Sequence, residues 1–284
     1  MQVVLERLHR HVGAGRGRTR LAGALAASSL MALCAASPAL AKQAPNPEYA
    51  AFKDCPIHVK GVKLCVIATT TSGEFTIGNK TVPINKTITL QGGLTNKSEV
   101  LVPAADGNTL SKTSLTVPGG LLGIGGIGGE VTATTELLGP VTLNPSLVAG
   151  RKGTAVTLPI RVKLDNPVLG ESCYVGSELE PVILHLTSGV TAPPPPNTPI
   201  EGSAGTLVLN KGATIVTLEG NTLVDNSFPA PAAEGCGGSL ALLINPIVNL
   251  QVGLPAKAGH NTAVLSGSVS ETASSNVKKA HVAP

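Results

Sequence analysis

The chain has 284 residues, with 21 Lys and Arg against 17 Asp and Glu, a formal charge of +4, and only 2% aromatic residues with no Trp. That length accommodates one large or two medium-sized domains. So few aromatic rings, and no cationic stripe, exclude the stacking platforms and phosphate-neutralising surfaces that hold nucleic acid.

Residues 1–41 read as a secretory signal peptide. Arg7, Arg10, Arg16, Arg18 and Arg20 precede an apolar run from Leu21 to Ala36, and Ser37-Pro38-Ala39-Leu40-Ala41 supplies small residues for cleavage after Ala41. The run is shorter than the ~20 residues of a stable membrane span, so the expected product is secreted and not an integral membrane protein. Leu33, ahead of Cys34, argues against a lipoprotein site, and the arginines never pair as a twin-arginine signal would require. The leader takes five bases and one acid, Glu6, leaving sixteen of each sign and a formal charge of zero.

Residues 42–52 are expected to be a flexible segment and 53–270 a β-rich domain. Four cysteines remain beyond the leader: Cys55, Cys65, Cys173 and Cys236. An even number in an exported chain reads as disulfides, and three pairings are open. The short spacing of the first two suits a local hairpin, which favours Cys55–Cys65 and Cys173–Cys236. No Cys-x-x-Cys occurs and the histidines are scattered, so neither a metal site nor a cofactor is expected.

Alternating apolar residues predict strands at Val62 to Ala68, Ile84 to Leu90, Val156 to Leu164, Val182 to Leu186 and Ala263 to Val269. In the third, Val156, Leu158, Ile160, Val162 and Leu164 share one face of a pleat, and Pro159 predicts an edge position or a bulge. Thr71-Ser72-Gly73, Gly78-Asn79, Gly92-Gly93, Asp106-Gly107, Ala149-Gly150 and Glu219-Gly220-Asn221 read as turns. The pattern predicts an all-β fold, a disulfide-stapled β-sandwich or Greek-key-like arrangement with at most one or two short helices. One such helix is expected with Asn245 as cap, Pro246 at its first position and a stop at Gly253.

Three segments stand apart. Residues 119–129 hold seven glycines with Leu121, Leu122, Ile124 and Ile127; buried, this is a close-approach loop, and exposed, an apolar tip able to touch cell-envelope components. Residues 191–205 contain Pro193 to Pro196 and Pro199, a stiff crossover within one domain, or a linker or docking segment for an aromatic-lined groove; two subdomains, 53–165 and 166–270, are the alternative organisation of the domain. Residues 271–284 are expected to be a disordered tail.

Cys55-Pro56, Gly61-Val62-Lys63-Leu64-Cys65, Thr71-Ser72-Gly73-Glu74-Phe75, the stretch from Asn166 to Gly176, Gly253-Leu254-Pro255 and Ala258-Gly259-His260-Asn261-Thr262 carry a resemblance. Through them the chain resembles a group of exported proteins of high-GC Gram-positive (actinobacterial) bacteria. The resemblance spans most of the chain beyond the leader and all four of its cysteines. It implies secretion and a shared architecture, and brings no activity with it.

Candidate chemistry is sparse. Ser275 to Lys278 matches Ser-x-x-Lys, but no general base is expected beside it, and no Gly-x-Ser-x-Gly elbow occurs. His58, His185, His260 and His281 read as surface or turn residues. Glu178 and Glu180 share a face if extended, as a glycosidase pair would, but lack aromatic sugar platforms. Asp106-Gly107-Asn108 and Asp225-Asn226-Ser227 are oxygen-rich turns without the periodic ligand spacing of a calcium loop. Asn79, Asn85 and Asn96 head glycosylation sequons that read as polar turn and edge residues. The reading is a secreted, non-enzymatic structural or interaction protein at or near the cell envelope. An extracellular carrier of an apolar ligand is the alternative, and a hydrolase without a recognisable motif the third.

Overall fold

A computed structural model describes residues 43–120, 129–150 and 152–283. The proposed leader and the tip of the glycine-rich loop, residues 121–128, lie outside the described residues.

After a 3-10 helix at Pro47–Phe52 come β1 (Val62–Ile77), β2 (Lys80–Pro83), β3 (Ile88–Thr95), β4 (Ser98–Pro103), β5 (Ser114–Thr116), β6 (Thr132–Leu137) and β7 (Thr142–Leu143). A single helical turn, α1 (Pro145–Val148), leads to β8 (Val156–Asp165), β9 (Tyr174–Val175), β10 (Val182–Leu186), β11 (Thr206–Leu209), β12 (Ile215–Asp225) and β13 (Ala233–Glu234). The chain then forms α2 (Ala241–Val252), β14 (Thr262–Ala273) and α3 (Ser274–Lys279). The fold is all-β and its strand pairs are antiparallel.

The strands run in the order β11-β12-β14-β1-β3-β4-β7-β8-β6-β5, with β2 on β1, β10 and β9 on β8, and β13 on β9. Strand β4 is the corner: it pairs with β3 through Gly93 and Val102 and with β7 through Val100 and Thr142. The sheet therefore folds back on itself into two facing layers. At the other side Thr187 and Val224 exchange two backbone hydrogen bonds, which tie the end of β10 to β12. Because β1 lies between β14 and β3, strands from both ends of the sequence adjoin within one layer. A division into subdomains at residue 166 is thereby excluded; residues 43–284 form one unit.

Strand β8 shows how the pattern becomes structure. Val156, Leu158, Ile160, Val162 and Leu164 are all buried, and the residues between them are not. It is not an edge strand, however: it pairs with β7 and β6 on one side and with β10 and β9 on the other. The Pro159 carbonyl accepts from Leu138 N–H at 3.0 Å. A residue's N–H and C=O point to the same neighbouring strand, so the missing donor of Pro159 falls where the chain passes from β6 to β7 and the ladder is already interrupted.

Two expected turns are bulges instead. Thr71-Ser72-Gly73 lies inside β1, with a register shift between Thr70 and Ser72, and Glu219-Gly220-Asn221 lies inside β12, with a shift between Glu219 and Asn221. Both shifts meet β14 at Gly267, where a Cβ would stand 1.8 Å from the Thr69 carbonyl oxygen. Glycine there lets three strands bend together. Gly92-Gly93 is likewise strand, within β3.

The two ends are not loose. Tyr49, Phe52, Cys55, Val62, Cys65, Ile215, Val277 and Ala280 form a second apolar cluster apart from the main core. Asn46 N–H donates to the Ala280 carbonyl at 2.9 Å, and the Tyr49 hydroxyl meets that of Thr214 at 2.7 Å. The flexible segment 42–52 and the disordered tail 271–284 are thus corrected: residues 262–273 are β14, and Val277 in α3 is fully buried. Neither end alone has apolar surface enough to order itself; each becomes ordered against the other.

Candidate functional site

Of the three possible pairings, the structure holds Cys55–Cys65 and Cys173–Cys236, with Cα atoms 5.6 and 4.1 Å apart. The first bridge pins the N-terminal segment to β1. The second joins the start of β9 to the approach of α2, and both of its cysteines are fully buried.

Sequence-predicted catalytic and ligand residues stay apart. His58, His185 and His260 are exposed, at three separate places in the fold. Glu178 and Glu180 do not share a strand face; they belong to a turn in which Ser177 N–H donates to the Glu180 carbonyl at 3.1 Å. Ser275 and Lys278 are exposed on α3 rather than in a loose tail. Asp106 closes a local turn, accepting from the Asn108 side chain at 3.0 Å and its backbone N–H at 2.9 Å, and these bonds hold its carboxyl below the usual range. Buried Asp225 accepts from His185 N–H at 2.7 Å and Ser227 N–H at 2.8 Å, so its oxygens serve the backbone. Asn79, Asn85 and Asn96 are exposed. Among the described residues no three His, Cys, Asp or Glu side chains gather as a metal cage would require.

What the fold does assemble is apolar. Between the layers lies a partly open cavity of about 110 Å³, walled by Phe75, Ile77, Val82, Ile84, Leu115, Val117, Ile160, Val162, Val252 and further aliphatic side chains. A second space of about 70 Å³ adjoins it, and Ile88, Leu110, Leu158 and Leu265 line both. A core with few rings, whose one stacked pair is Phe75 on Phe228 at 5.6 Å among the described residues, relies on branched aliphatics that fill a wide interlayer gap incompletely.

Two polar residues line the larger cavity: Thr135 and Lys80. Lys80 opens β2, where it and Val82 take the inward positions while Thr81 and Pro83 are exposed. In the sequence Lys80 is marked only as the middle residue of the sequon that Asn79 heads. The alternation Lys80, Val82, Ile84 was visible, but nothing in it distinguishes a cavity rim from an ordinary edge strand.

Helix α2 borders the same space, since Val252 at its end is part of the wall. It begins five residues earlier than expected, at Ala241, and Asn245 is not its cap. The Asn245 side chain instead accepts from Cys236 N–H at 2.8 Å, while Pro246 sits inside the helix. Val248 and Val252 face inward; Leu242 and Leu250 are 92% and 78% exposed, with Leu240, Leu243 and Ile247 beside them. No charged residue occurs from Gly235 to Ala256. Among the described residues no helix is long and apolar enough to cross a membrane.

The chain matches no family model, and neither the curated proteins nor the solved structures contain a significant relative.

Proposed function

We propose that this protein is a secreted, non-enzymatic carrier that holds an apolar ligand between its β-layers. The cavity of about 110 Å³, walled almost wholly by aliphatic side chains, carries the reading. Left empty, such a space forfeits about 2–3 kcal/mol, a large share of a domain's stability of roughly 5–15 kcal/mol. An occupant recovers that loss. A dry engineered cavity of comparable size, about 150 Å³, takes up benzene or xenon. The two disulfides suit an oxidising compartment. So do the leader-like first 41 residues and the resemblance to exported actinobacterial proteins.

Native mass spectrometry and solvent extraction of protein purified from culture medium test this. A stoichiometric apolar molecule that reproducibly accompanies the folded protein is the expected result. Protein that carries none, and takes up neither alkane nor alkanol, is no carrier.

The uncharged, exposed face of α2 favours a second reading, a protein that makes contact with the cell envelope. The glycine-rich loop would be its second contact.

A further inference from the structure

We propose that the ligand is a single-chain amphiphile with a monoanionic head, its chain lodged among the aliphatic side chains and its head paired with Lys80. This rests on the carrier reading and names the ligand that reading leaves open. Among the described residues Lys80 is the one charged side chain on the cavity wall. It stands at the first position of β2, beside the Gly78-Asn79 turn, and is half-buried. The rest of β2 fixes its direction, because inward Val82 is its neighbour on the same face.

The one acid among the paired residues of this hairpin does not face it. Glu74 is paired with Pro83, at the far end of β2 from Lys80, and is exposed. The residue opposite Lys80 on β1 is Ile77. A lysine so placed lays its methylene stem along the apolar wall and keeps its ammonium at the rim. Its complement is a molecule whose tail leaves water while its head exchanges water for a cation. An ammonium is a compact point charge without the fork geometry of a guanidinium, so it accepts carboxylate, phosphate or sulfate heads alike. The space suits one chain: the larger cavity takes the part next to the head, and the adjoining one the tip, past Ile88, Leu110, Leu158 and Leu265.

Isothermal titration of delipidated full-length protein at pH 7.5 with decanoate, decyl sulfate and decanol tests the proposal, using wild type, Lys80→Met and Lys80→Arg. Wild type is expected to bind both anions about tenfold or more tightly than decanol. Lys80→Met lowers the two anions to the level of decanol and leaves decanol unchanged, and Lys80→Arg restores the preference. An anion preference that survives Lys80→Met, or a wild type that binds decanol as well as decanoate, overturns the assignment of the head while the carrier stands. If wild type binds none of the three, the carrier reading itself fails. Circular dichroism of each variant confirms the fold.

Discussion

Asn249 and Ala233 hold each other by a reciprocal pair of hydrogen bonds. Ala233 N–H donates to Asn249 Oδ1 at 2.7 Å, and Asn249 Nδ2 donates back to the Ala233 carbonyl at 3.2 Å. A side-chain amide thus acts as one more strand residue beside β13 and fixes α2 across the end of the sandwich. Asn249→Ala leaves a buried backbone donor unpaired and is expected to cost about 1–3 kcal/mol, read from urea denaturation. An unchanged midpoint would show that other contacts hold the helix.

Filling the cavity should separate stability from binding. Ala133→Phe places a ring into the space that Ala133 lines. The expected outcome is loss of ligand uptake in native mass spectrometry, with unliganded stability kept or raised as the void closes. Retained uptake at full stoichiometry would place the ligand elsewhere.

Glu271 lies opposite Val66 on β1 and Val216 on β12, and its partial burial raises its carboxyl pKa above the usual value. A raised folded-state pKa means the folded protein holds the proton more tightly than the unfolded chain. Its stabilising contribution is present below the unfolded value, near 4.5, and is lost as pH rises through the folded one. Glu271→Gln should therefore raise Tm at pH 7 and make no difference at pH 3. A variant less stable at pH 7 would reveal a favourable role for the carboxylate.

The two bridges should differ in worth. Cys55–Cys65 spans 10 positions and Cys173–Cys236 spans 63. Loop-closure entropy predicts losses of about 2.8 and about 4.3 kcal/mol for the paired Cys→Ala variants. Chemical denaturation of both double variants checks the order; a larger loss for the short loop would show that packing of the second apolar cluster outweighs chain entropy.

The exposed face of α2 makes its own prediction. If it meets lipid, binding rests on apolar burial, so sedimentation with zwitterionic vesicles should persist in high salt and fall at least several-fold in the doubly substituted Leu242→Ser, Leu250→Ser protein. Association equal in wild type and variant would remove the envelope-contact reading.

Where an unbroken period of two runs for nine residues, as from Val156 to Leu164, sequence and structure coincide, because each apolar side chain meets the same opposing layer. The bulges were not legible. Glycine with positive φ serves a chain reversal and an inserted residue equally well, and Gly73, at φ 119, differs from a turn glycine only through β14, which lies almost 200 residues away. Tyr49 and Phe52 reveal nothing of Val277, since a cluster divided between the two ends has no local periodicity. The cavity was hidden for a related reason: interior volume is what remains after side chains from both layers have met. Lys80 could be read as exposed or inward until β2 was seen paired with β1.

The hydrogen bond between the hydroxyls of Thr69 and Ser268, 2.8 Å long, joins positions 199 apart. Until β14 has been made one flank of β1 has no partner, because the strand that covers it follows so far along the chain. Closing so long a loop costs entropy before any contact repays it, and topologies of this kind fold slowly. The nascent polypeptide therefore cannot complete its first layer until β14 emerges, and the edge of β1 stays open to other partners until then.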